Sequence, residues 1–198
     1  MMTQSAENNP SASRGLWRRC LSVPRRMARR KGFGIHSPFA FDFVRRVIAQ
    51  PCAYYAYERI NGIAETAAER GALLRLLFRV CLYFRPRRIA VCGSVSDAVM
   101  ESLILGSPDA VSGKFECGAD YGEDTLLVIA SCDEVDSAEV VAALKCGANA
   151  VILGAAYNSG LLADIWHGTV CGMLFRGRKA GIYAGMRHLP HQSFDVWF

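Results

Sequence analysis

Residues 88–105 constrain the fold of this chain more than any other stretch. Arg88-Ile-Ala-Val-Cys-Gly93 is a short apolar run that ends on a glycine. A run of that length, bounded by a turn residue, reads as a buried strand. Before it, Leu73, Leu74, Leu77, Val80, Cys81 and Phe84 recur at helical spacing, and Pro86 stops the pattern. After it, Ser94–Asp97 leads into a second helical stretch, Ala98–Leu105. Helix, strand, tight turn and helix in that order predict an α/β fold of the nucleotide-binding type.

The downstream pattern extends the same theme. Lys114–Cys117 reads as a weak strand and Asp124–Ser131 as a stronger one. Ser137–Lys145 is an amphipathic helix closed by Gly147, and Ala150–Gly154 is a further buried strand. A short helix over Ser159–Trp166 follows. Gly172–Phe175, Gly181–Gly185 and Ser193–Phe198 then predict strands joined by turns, an antiparallel end to the sheet. Upstream, Ser37 is a good N-cap and Pro38 suits the first helical position, so a helix is expected to about Ile48. Tyr54, Tyr55 and Tyr57 follow Pro51 as an aromatic cluster. They either cover the end of a core or, beside a basic arm, stack on nucleic-acid bases.

Charge divides the chain in two. Of its 198 residues, the first 35 hold eight basic residues against one acid, Glu7, while the remainder is close to neutral. The expected organisation is a basic arm over residues 1–31 and one α/β domain over residues 32–198. From Arg14 to Lys31 the arginines alternate with Leu16, Trp17, Leu21, Val23 and Met27, interrupted by Pro24. This segment reads either as a solvated tail or as a short amphipathic helix contacting an anionic surface, membrane or nucleic acid.

No apolar run approaches the ~20 residues that span a bilayer, and no apolar leader follows the arginines. A soluble, cytoplasmic protein without a transmembrane segment is the expectation. The eight cysteines are scattered with no pair closer than eleven residues, so they predict reduced thiols rather than a disulfide scaffold or a metal site.

Two segments carry a family resemblance. Lys31-Gly-Phe-Gly-Ile-His-Ser-Pro-Phe-Ala-Phe-Asp-Phe-Val44, with Tyr54-Tyr-Ala-Tyr, resembles the N-terminal block of a Bacteroidetes family of class I S-adenosylmethionine-dependent methyltransferases. Leu73–Gly93 looks like that family's helix and first strand entering the cofactor loop. The ending, Gly181-Ile-Tyr and Ser193-Phe-Asp-Val-Trp-Phe198, is similar to its terminal β-hairpin. The resemblance implies a mostly parallel Rossmann-like sheet with an antiparallel C-terminal hairpin. It also implies a cofactor site at Gly93, Ser94 and Ser96, with Glu116 as the ribose-binding acid and Asp133 as a substitute for a later aspartate.

Measured against that family's acid-x-Gly-x-x-x-Gly pattern, the chain departs at two positions. Val91 stands where the acid belongs and Asp97 where the last glycine belongs. Only six residues separate Cys117 from Asp124, whereas a parallel crossover usually takes a dozen or more. The sheet is therefore expected to be shortened in its middle, by loss of a strand–helix unit or by a hairpin between the two strands. Glu116 reads equally well as an ordinary exposed acid at a strand end. His36, in the family-like loop, reads as functional or as a bridge from arm to body. No hydrolase elbow, P-loop or metal-binding spacing occurs.

Three readings of function follow: a methyltransferase-like protein with an eroded cofactor site in an interaction or structural role; an active methyltransferase of unassigned substrate; and a module that binds anionic surfaces through its arm. No catalytic residue is assigned under any of them, and the oligomeric state is left open.

Overall fold

The computed structural model describes residues 35–130, 136–155, 158–196 and 198. The basic arm and Asp133 lie outside them. Among the described residues there are six α-helices, one π-helical turn and seven strands. Helix α1 (Pro38–Phe43) continues into a wider π-helical turn over Val44–Ile48, and α2 (Tyr57–Thr66) and α3 (Gly71–Phe84) follow. Then come β1 (Arg88–Cys92), α4 (Asp97–Gly106), β2 (Val111–Lys114) and β3 (Thr125–Ile129). The chain ends with α5 (Ser137–Lys145), β4 (Asn149–Leu153), α6 (Ser159–Gly168), β5 (Met173–Arg176), β6 (Ala180–Ala184) and β7 (Gln192–Asp195).

The seven strands form one sheet in the order β2-β1-β3-β4-β6-β5-β7. β2, β1, β3 and β4 run parallel, and β6 is antiparallel to both β4 and β5. This mostly parallel, helix-covered sheet is compatible with a Rossmann-like fold. Because strand side chains alternate, each strand feeds both faces. Ile89, Leu126, Val128, Val151 and Phe175 face α1–α4, whereas Ala90, Leu127, Ile129, Ile152 and Leu174 face α5 and α6. The buried strands are consequently apolar on both sides, which is why they read as continuous apolar runs.

Local signals account for several helix ends. Ser37 Oγ accepts the Ala40 N–H at 3.3 Å, and Pro38 occupies the first turn of α1. Asp136 caps α5 by accepting the Ala138 N–H at 3.0 Å, and Gly147 follows that helix with φ +108°. Helix α2 is an element that residues 54–66 do not announce. Tyr57 opens it, and Tyr54 and Tyr57 pack against Phe78 with ring centroids 5.5 and 6.1 Å away. Those two tyrosines thus cover the core, while Tyr55 is exposed.

Three expectations need correction. First, β2 spans Val111–Lys114 rather than Lys114–Cys117, so Glu116 lies two residues beyond the strand. Second, β2 and β3 do not pair as a hairpin; each pairs parallel with β1, on opposite sides of it. The ten-residue link between them, residues 115–124, contains no helix. Ten residues reach up to ~33 Å, enough to run back along a short strand and cross two strand spacings of ~5 Å each.

The link is held by its own aromatics. Phe115 stacks on the buried Tyr121 at 5.2 Å, and the Tyr121 hydroxyl donates to the Glu116 carbonyl while accepting the Glu116 N–H. Third, the antiparallel hairpin is β5–β6, turning at residues 177–179, whereas β7 pairs parallel with β5 and closes the sheet edge. The final residues therefore do not pair with β6 as the resemblance implied.

Candidate functional site

In an open α/β sheet, ligands bind outside the carboxyl ends of the strands, where the chain departs to opposite sides. Here that point lies beside β1, which has β2 on one flank and β3 on the other. Gly93 leaves β1 with φ +86°, a left-handed conformation that a side chain would strain. Ser94 is exposed. Ser96 adopts extended backbone and caps α4, its Oγ accepting the Val99 N–H at 3.4 Å. Its hydroxyl in turn donates to Glu69 Oε1 at 3.0 Å.

That last contact matters electrostatically. The first N–H groups of a helix and its dipole attract negative charge, which is why phosphates and carboxylates settle at such ends. At α4 the place beside the capping hydroxyl is taken by the protein's own carboxylate, brought from the segment before α3. Asp97, in the first turn, adds a second acid. Glu69 carries no motif that distinguishes it in the sequence.

The structure brings some expected site residues together and separates others. The Phe115 N–H donates to the Val91 carbonyl at 2.9 Å, which extends the β1–β2 ladder and sets the exposed Glu116 near the end of β1. Gly93, Ser96 and Glu116 thus share one edge of the sheet. Val91, where the family pattern has an acid, packs its side chain toward the α1–α4 layer. His36 is exposed immediately before the cap of α1.

Two thiols also meet at this edge. The Cys117 thiol donates to Glu139 Oε2 at 2.5 Å, tying the exit of β2 to α5. Its pKa is raised, chiefly by that hydrogen bond to a carboxylate. Burial, with Cys117 nearby, pushes Cys92 up to about 12. Both thiols stay protonated near neutral pH, so neither is poised as a nucleophile. Six cysteines of the described residues are free, and among those residues no group of three or more His, Cys, Asp or Glu side chains is placed to hold a metal.

A second cluster lies at the same end of the sheet but on its α3 side. Ile48, Leu73, Leu76 and Phe198 wall a cavity of about 200 Å³ that is also lined by Arg79 and Lys179. Lys179 sits in the β5–β6 turn, its carbonyl accepting the Gly154 N–H at 2.8 Å just beyond β4. Arg79 is visible in the sequence as an arginine among Leu76, Leu77, Phe78 and Val80, a charge on a helix that is otherwise buried.

Among the described residues no helix is long and apolar enough to cross a membrane. A scan against protein-family models and a search of curated proteins each return no match.

Proposed function

We propose that this chain is a Rossmann-like domain on a class I methyltransferase framework whose cofactor site has been given up, retained for a binding or structural role. The observation that carries this reading is the 3.0 Å hydrogen bond between Ser96 and Glu69. A helix end that would receive an incoming carboxylate or ribose is answered from within the chain. Val91 adds to it, because an apolar side chain packed among helices offers nothing to a ligand's ammonium group. The residues beside Gly93 therefore do not fit S-adenosylmethionine well, and no methyl-transfer step is derived from them.

The test is calorimetric titration of the full chain with S-adenosylmethionine. The expected result is no saturable binding up to about 1 mM, unchanged by Gly93→Arg. Binding in the low-micromolar range that Gly93→Arg abolishes would sink the proposal. One observation favours the second reading, an active methyltransferase: Glu116 is carried to the end of β1, where a ribose-binding acid would stand. Under that reading, Glu116→Ala weakens S-adenosylmethionine at least tenfold.

A further inference from the structure

We infer that the cavity between α3 and the β5–β6 turn is a binding site for a small organic carboxylate with a short apolar or aromatic body. It lies on the α1–α4 side of the sheet, apart from the glycine turn, and is built from positions that no part of the proposed function uses.

Arg79 is fixed from two directions. Its Nε donates to the Val47 carbonyl at 2.5 Å, and Nη1 donates to the Tyr57 hydroxyl at 2.7 Å. The first bond has a local cause. Val47 lies in the π-helical turn, and the residue four positions on is Pro51, which has no N–H to give back to that carbonyl. A guanidinium has five N–H donors, so three remain after these two bonds. No carboxylate of a described residue pairs with Arg79 or with Lys179.

Two half-buried cations therefore line one small space, and among the described residues no carboxylate lies within ion-pairing distance of either. Burial makes such unpaired charge costly, and an entering anion relieves it for both. The remaining wall selects the rest of the ligand. Ile48, Leu73, Leu76 and Phe198 reward an apolar body, which a bare inorganic ion lacks. A cavity of about 200 Å³ lies below the usual range for drug-sized ligands and suits a compact acid. The planar fork of an arginine matches a carboxylate well. Gly177 completes the fit: a Cβ there would come to 2.5 Å from the Phe198 ring, so glycine lets that ring pack against the turn as one wall.

The experiment uses the full chain, with benzoate and hexanoate as probes in titration calorimetry. Benzoate is expected to bind saturably with a Kd of about 1 mM or tighter. Benzyl alcohol, which lacks the charge, and inorganic phosphate, which lacks the apolar body, should each bind at least about tenfold more weakly. Lys179→Gln removes one cation from a turn where its side chain holds no other described residue, and should weaken benzoate about tenfold while the melting curve is unchanged. Ala72→Trp, at the exposed rim of the cavity, should block entry with the fold intact.

The inference is overturned if neither acid binds, if Lys179→Gln leaves benzoate affinity unchanged, or if phosphate binds as tightly as benzoate. None of these measurements involves S-adenosylmethionine, so the outcome at the glycine turn and the outcome here are independent.

Discussion

The two ends of interest on this sheet treat charge in opposite ways. At the glycine turn after β1, Ser96 caps the helix end and donates to Glu69, so a carboxylate of the protein's own stands beside the cap. At the corner between α3 and the β5–β6 turn, Arg79 and Lys179 line a cavity without a counter-charge among the described residues. The position that a fold of this class usually reserves for a ligand is the one where an acidic side chain of the chain itself already stands. The position with unspent charge is the one the motif pattern does not mark. A binding role is thus better sought at the second corner than at the first.

The largest expected effect concerns what holds the basic corner in place. Phe43 stacks on Phe175 at 4.6 Å and touches Tyr83 and Phe84, joining α1 to the sheet and to the end of α3. Phe43→Ala should cost about 3–5 kcal/mol in denaturant unfolding, from lost burial and the cavity left behind. A cost below about 1 kcal/mol would mean that the α1 layer is not fastened to the sheet as described.

Alkaline pH should loosen both helical layers, Cys81 and Tyr83 lying on the α1–α4 side of the sheet and Cys92 on the α5–α6 side. Burial pushes Cys81 and Cys92 up to about 12, and Tyr83, beside Asp42, is also raised to about 12 by burial first and that carboxylate second. Each group binds its proton more tightly folded than unfolded, so its contribution is intact below the unfolded value and is lost as pH rises toward 12. Melting temperature should hold flat to about pH 8.5 and fall above it. Thiol labelling at pH 8 sharpens the picture: exposed Cys52 and Cys146 should react first, with Cys117 lagging despite its exposure.

Arg79→Met tests whether Arg79 is only a clamp. It strands the Val47 carbonyl and should destabilise by about 1–3 kcal/mol. If Arg79 also faces a ligand, benzoate binding is lost as well, whereas Tyr57→Phe should lower stability slightly and leave benzoate bound. At the closed edge, Ser96→Ala should cost about 1 kcal/mol through the lost cap. The smallest effect on the domain is expected from deleting residues 1–31, which should leave its melting curve unchanged. That deletion should, however, abolish salt-dependent retention on anionic lipid or DNA if the arm has a surface role.

Much of the element pattern was legible because its causes are local. β1 and its glycine turn combine an apolar run with a residue that tolerates positive φ. α1 was legible from Ser37 and Pro38, and α5 from its apolar spacing and the glycine after it. Where local signals are weak, the sequence is silent. β2 is an exposed edge strand of Val111-Ser-Gly-Lys with no burial alternation, so its boundaries are three residues from those expected. α2 begins at Tyr57 after Ala56, which offers no side-chain cap, and contains Asn61 and Gly62, with Ile60 and Ala64 as its buried residues. Of the candidate cofactor residues, Gly93 was legible as a turn, but the state of its surroundings was not.

By itself, then, the sequence determined most of the strands and helices, β1, β3, β4, α1, α3 and α5 among them, since periodicity, caps and turn residues act within a few positions. Only the tertiary structure decided that β7 pairs parallel with β5, that residues 115–124 cross β1 without a helix, that Glu69 accepts from the serine capping α4, and that Arg79 and Lys179, a hundred residues apart, share one cavity. Those outcomes depend on which distant surfaces meet when the sheet is covered. Side-chain charge is satisfied or left unpaired at that step, where no local spacing records it.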